Sequence, residues 1–246
     1  MNRAIMQLTA RQLLGAKRTL LLIGFALIPV LIAILYRTAG KDIRPDHWAA
    51  NTLYARLIVT TVLPLTALVF GTAAIGSEFE DGTAIYILAR PIERWRVVAS
   101  KLVVAAAATV IVVLFSTLVS GLIATAGQGD GGSIVTGFSI ALVAGSIVYC
   151  CIFVCLSIIT SRALIVGLIY VFLWESVITT LFSGLRIFSV RQYTLGLADK
   201  ISSVNPNVFT ARLNGIEAAV LMVIVAALAT VYGVRRLQRW EIGEST

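Results

Sequence analysis

Six long apolar runs constrain this chain more than any other feature. They cover residues 19–36, 57–76, 102–126, 134–159, 163–182 and 216–234. The hydrocarbon core of a bilayer is about 30 Å thick, and a helix needs about 20 apolar residues to cross it. Each run meets or approaches that length. The expected fold is therefore an all-α integral membrane protein with six transmembrane helices in a single domain over residues 1–246. Composition agrees: 59% of residues are hydrophobic and only 13% charged, against about 25% charged in soluble domains. Mean hydropathy is +0.94. A basic patch interleaved with aromatic residues on a soluble fold is missing, so the net charge of +8 points to membrane topology rather than to nucleic acid.

Pro29 and Pro64 fall inside the first two runs. Such prolines are tolerated in lipid where neighbours satisfy the freed carbonyl, and they predict kinks. The first run is longer than the apolar part of a signal peptide, and no small-residue cleavage site follows it, so it is expected to be retained. With six spans both termini share a side. Twelve of the 20 lysines and arginines fall on that side. The excess places both termini in the cytoplasm, in a multi-pass plasma-membrane protein.

Residues 1–18 carry Arg3, Gln7, Arg11 and Arg18 on one helical face and Ile5, Leu8, Leu13 and Ala16 roughly opposite. That pattern predicts an amphipathic interfacial helix. The connection over residues 183–215 keeps recurring apolar residues, which predicts short helices or a re-entrant segment before the last span. Cys150, Cys151 and Cys155 read as packing residues within span four; a soft-metal path lacks further ligands, and no metal site is expected. His47, in the first connection, is assigned no role. Gly137, Ala141 and Gly145 form a stripe of small residues along span four, able to serve a subunit contact or packing within one chain.

Glu175 lies within span five. A carboxylate near the bilayer centre costs about 2.5–3.5 kcal/mol on insertion scales, so it is expected to face a partner or a wet cavity. Arg186, just beyond the run, is a candidate ion-pair partner, and the two mark a possible substrate path. A structural tie between helices is the other reading of Glu175.

Between spans two and three lies GSEFEDGTAIYILARPIERWRVVASK, residues 76–101, which holds eight of the chain's 32 charged residues. Ser77 with Glu80 matches a capping box, and Glu78, Glu80 and Asp81 place negative charge where a helix N-terminus favours it. Ile85, Leu88, Ile92, Trp95 and Ala99 recur at helical spacing. Pro91 pushes Arg90 out of helix and suits the first turn of a new one. The pattern predicts a short amphipathic helix over 77–89, a bend at Arg90–Pro91 and a second helix entering span three. Gly82 permits close approach of another backbone. On the topology above, this element is cytoplasmic.

An enzyme reading fails on spacing. Six residues separate Asp81-Gly82 from Ala89-Arg90, where the signature of phosphatidyl-alcohol transferases has two, and the further aspartates of that signature are absent. Neither a nucleophile elbow nor a metal-ligand spacing appears elsewhere.

The segment does resemble the cytoplasmic signature of ABC type-2 transporter permeases. Glu78, Glu80, Gly82 and Thr83 stand for its acidic Gly-Thr stretch, Pro91, Ile92 and Arg94 for its proline turn, and Lys101 for the lysine opening span three. Residues 173–199 also resemble members of this group. The resemblance implies the permease subunit of an ABC exporter, dimerising with an identical or paralogous permease and binding two cytoplasmic ATPase subunits. The helix after span two is then the coupling helix, with Glu78, Glu80, Asp81, Gly82, Thr83, Pro91, Arg94 and Lys101 as its ATPase-coupling residues. The chain has no Gly-x-x-x-x-Gly-Lys loop. It is thus expected to bind no cofactor of its own, with ATP and Mg on the partner. Two other classes stay open at this point: an ion-coupled secondary transporter using Glu175, and a membrane anchor without transport.

Overall fold

The computed structural model describes residues 6, 8, 9, 15–39, 44–80, 93–126, 131–202 and 208–238. Among them every regular element is helical. Helix α1 is Ala16–Thr38, with Pro29 inside it. Helix α2 covers residues 45–80 without a break and is built of three stretches, Pro45–Trp48, Ala49–Val62 and Leu63–Glu80. Helix α3 is Arg94–Thr125 and α4 is Gly131–Ile159. Helix α5 covers residues 163–181. A 3₁₀ turn, Ser183–Phe188, leads to the short α6, Val190–Ser202, and α7 is Gly215–Gln238.

Helix α4 is the centre of the bundle. It packs against α2, α3, α6 and α7, and α5 leans on α2 and α4. Its 29 residues make a rod of about 43 Å, well over the hydrocarbon thickness. Aromatic contacts cross the interior: Tyr54 stacks on Phe138 at 4.8 Å between centroids, and Phe138 meets Phe209 edge-on at 5.3 Å. Among the described residues four helical stretches are long and apolar enough to span a membrane: Pro45–Gly76, Arg94–Thr125, Gly131–Ile159 and Gly215–Gln238. Ile23–Thr38 and Ala163–Ile178 are apolar but shorter. Helices α3 and α7 turn large apolar side chains outward, including Ile111, Phe115, Leu122, Val223 and Leu228. For a chain solvated by lipid tails such a surface carries no penalty.

Six hydroxyls inside this apolar bundle are satisfied locally. Thr66, Thr72, Thr109, Thr117, Ser120 and Ser146 each donate to the carbonyl four residues earlier, at 2.6–2.9 Å. This back-bonding removes the cost of a bare hydroxyl in a dry interior.

Two stretches wind more widely than an α-helix. Ala49–Val62 in α2 and Tyr170–Ile178 in α5 are π-helical. The wider turn shows in the side chains: Thr60 donates to Ala55 at 2.8 Å and Ser176 to Val171 at 3.3 Å, each five residues back. Pro64 stands at the second residue after the first wide stretch. A proline ring clashes with the carbonyl four residues earlier in a regular helix, and the wider turn just before it relieves that crowding.

The structure departs from the sequence reading in three places. The second helix begins at Pro45, not at residue 57, so His47 lies in its first turn and not in a loop. Proline suits that turn, Arg44 pairs with Asp46 at 2.8 Å, and Trp48 stacks on Tyr36 of α1 at 3.8 Å. Ser77 does not open a helix: α2 runs through it to Glu80, so the capping-box pattern falls inside a helix that arrives from the other direction. Run 163–182 is not one regular helix, since its second half widens and ends at Leu181. Of the predicted interfacial helix, Met6, Leu8 and Thr9 are helical; its other residues before Gly15 lie outside the described residues, as do 81–92, which hold most of the predicted 77–89 helix and its bend.

Candidate functional site

Two groups of polar residues stand out against the apolar bundle. The first gathers where α2 ends and α3 begins. Helix α2 carries Glu78 and Glu80 in its last turn. Asp81, Gly82, Thr83 and Pro91 lie outside the described residues. The chain re-enters at Glu93, whose extended backbone (φ −56°, ψ 123°) precedes the first turn of α3. Its carboxylate accepts the indole N–H of Trp95 at 3.0 Å and pairs with Arg96 Nε at 2.7 Å. The Arg96 guanidinium also lies 5.5 Å from the Trp95 ring centroid. Trp95 is 49% exposed, which fits an aromatic anchor at a membrane–water interface.

Arg94 and Lys101 both reach into the protein. Lys101 is 1% exposed and its ammonium donates to the carbonyl of Ala74 on α2 at 2.7 Å. Arg94 Nη1 donates to the carbonyls of Leu237 and Gln238, at 2.6 and 2.9 Å. These belong to the last turn of α7, where helix carbonyls lack intrahelical donors and favour a cation. The basic residues of the signature thus tie α3 to α2 and α7, a role the sequence pattern did not reveal.

The second group surrounds Glu175, which is 2% exposed. The carboxylate is well satisfied. Oε1 accepts the Tyr170 hydroxyl at 3.1 Å and the Val190 backbone N–H at 2.9 Å, and Oε2 accepts the Ser189 hydroxyl at 2.5 Å. Tyr170 reaches it because residues five apart are neighbours in a π-helical turn. Val190 is the first residue of α6, so the Glu175 carboxyl satisfies one of the free backbone N–H groups at that helix's N-terminus. The expected partner does not supply this: Arg186 instead donates Nε to the Thr179 carbonyl at 3.1 Å. Tyr149 of α4, stacked on Phe153, brings a fully buried hydroxyl beside the same carboxylate. Ser189, Val190 and Tyr149 were missed by sequence reasoning; the five-residue spacing of Tyr170 and Glu175 was the available signal.

The arrangement shows how α5 and α6 follow one another along α4. Gly167 of α5 meets Leu68 of α2 and Phe153, which lies in the α4 half nearer Ile159, while α6 begins beside the Glu175 cluster. From there Thr194 packs on Gly145 and Ser202 on Gly137. Helix α6 therefore continues along α4 toward Gly131, over the length that α5 does not cover. The small-residue stripe of α4 is used here, within one chain. A Cβ on Gly137 would lie 2.6 Å from the Ser202 backbone, and one on Gly145 2.6 Å from Thr194 Oγ1. Thr194, Ala198 and Ser202 form the matching stripe on α6, and Ala141 and Ala198 are both fully buried.

The three cysteines are buried, and Thr109 lies 3.3 Å from the Cys150 sulfur. Among the described residues no three His, Cys, Asp or Glu side chains gather as metal ligands. Compared with known families, the chain matches the family model for ABC-2 family transporter protein over residues 30–239. No curated protein matches it.

Proposed function

The chain belongs to the ABC-2 family of transporter proteins, and we propose that it is the permease subunit of an ATP-driven exporter. The observation that carries this reading is the extent of the match, residues 30–239, which takes in nearly the whole helical bundle and the charged α2–α3 connection. On this reading α1 and the α5–α6 pair complete six spans in the plasma membrane, with both termini and the α2–α3 connection in the cytoplasm. Two ATPase subunits supply ATP and Mg, and a second permease, identical or paralogous, completes the translocation path. The α2–α3 connection is the coupling element, with Glu78, Glu80, Asp81, Gly82 and Thr83 facing the ATPase.

Purification of the tagged chain from its native membrane tests the reading. An ATP-hydrolysing subunit is expected to accompany it, and Glu78→Ala or Gly82→Trp is expected to weaken that association or uncouple hydrolysis from transport. Flux driven by an ion gradient through the chain alone, with neither ATPase nor ATP, would overturn the proposal.

A further inference from the structure

Helix α7 packs mainly on α4 and α6 and only lightly on α3. On packing alone, a displacement at the base of α3 would reach α7 through α4. Arg94 changes that route. It stands at the first residue of α3, directly after the α2–α3 connection, and one of its nitrogens holds two carbonyls of the last turn of α7. Seven residues further on, Lys101 holds the Ala74 carbonyl of α2 from a nearly water-free position. Two turns of one helix thus carry separate charged ties to two other helices, to the last turn of α7 and to Ala74 of α2. Hydrogen bonds to charged groups are among the stronger ones, and the low dielectric around Lys101 strengthens its bond further.

We propose that Arg94 and Lys101 are positioning residues that fasten α7 and α2 to the base of α3, so that a partner displacing the α2–α3 connection moves α7 directly. The inference rests on the permease reading above and reassigns these two residues. They hold this chain's own helices together, and the ATPase contact falls to the residues between Glu78 and Pro91.

The test is hydrogen exchange on the chain in complex with its ATPase, with and without ATP plus vanadate. In the wild type, trapping is expected to alter exchange both at the start of α3 and in the last turn of α7. In Arg94→Ala the last turn of α7 exchanges about tenfold faster before any nucleotide is added, as follows from losing a charge-assisted bond. Its response to trapping is lost, while the response at the start of α3 persists. Arg94→Lys, which keeps a cationic donor, restores the α7 response; a general folding defect would not be rescued in this way. An Arg94→Ala protein whose α7 still responds fully overturns the inference. So does a wild type in which α3 responds and α7 does not, a result that needs no variant. A wild-type complex with no response to trapping in either helix overturns the permease reading, and this inference with it.

Discussion

Glu175 and Val190 stand fifteen residues apart and are joined by a 2.9 Å hydrogen bond from the first backbone N–H of α6 to the carboxylate of α5. A buried carboxylate in a membrane protein is usually taken as a sign of ion or proton movement. Here its acceptor capacity is used to hold α5 and α6 together.

Glu175→Ala removes the acceptor for the Val190 N–H and for the Ser189 and Tyr170 hydroxyls. Each buried donor left unmet costs about 1–3 kcal/mol, so a loss of about 3 kcal/mol or more is expected in denaturant unfolding of the purified chain. Glu175→Gln keeps one oxygen for Val190 and Tyr170, and its amide donates to Ser189 once that hydroxyl turns. It is expected to unfold close to the wild type and to transport normally. Lost transport in a stable Glu175→Gln protein would instead mark the carboxylate as a proton or cation site.

The glycines of α4 and its neighbours give a graded series. Gly137→Ala meets the backbone of Ser202 at 2.6 Å, whereas Gly145→Ala meets side chains alone, Thr194 Oγ1 at 2.6 Å and Leu63 Cδ2 at 3.1 Å. Overpacking of this kind costs about 1–3 kcal/mol. Gly137→Ala is expected to be the more damaging, and Thr194→Ala to relieve Gly145→Ala. Gly132→Ala and Gly184→Ala, with no atom within 4 Å of the new Cβ, serve as neutral controls in the same thermal unfolding series.

Lys101→Met preserves most of the side-chain volume but withdraws the ammonium from the Ala74 carbonyl. A destabilisation of about 1.5–3 kcal/mol is expected from a lost charge-assisted bond. Thermal unfolding in detergent measures it, and a change below 0.5 kcal/mol would show that the tie contributes little.

Topology is open to labelling in intact cells. The native thiols at Cys150, Cys151 and Cys155 are buried and are expected to stay silent toward an impermeant maleimide. A cysteine at the exposed Gly132 is expected to label from outside, and one at Glu93, whose side chain is 59% exposed, only after permeabilisation. The reverse pattern would invert the orientation.

Hydropathy located the helices well because burial in lipid demands the same apolar composition whatever the detailed winding. It could not see the break between α5 and α6. Residues 163–182 are uniformly apolar apart from Glu175, and a π-helical turn leaves no mark on a hydropathy profile. The early start of α2 was hidden for the opposite reason: Asp46 and Trp48 look like loop residues until Arg44 and Tyr36 are placed beside them. Ser77 misled because a capping box is a local pattern, equally compatible with a helix already under way. Arg94 and Lys101 were singled out by position in a motif, but their partners, Leu237 and Ala74, are backbone carbonyls distant in sequence, and a carbonyl has no signature in a residue string.

The paired stripes of α4 and α6 also bear on biogenesis. Helix α6 is 13 residues long and carries Arg191, Gln192, Asp199 and Lys200. It is too short to cross the bilayer and too polar to partition into lipid unaided. It settles only once α4 offers Gly137, Ala141 and Gly145 as a docking strip. Insertion of the long helices must therefore come first, with α6 tucking in afterwards as a late maturation step. Until α6 docks, that strip of α4 has no cover from within the chain, so the glycines that secure the finished protein also mark where an unfinished one differs from it.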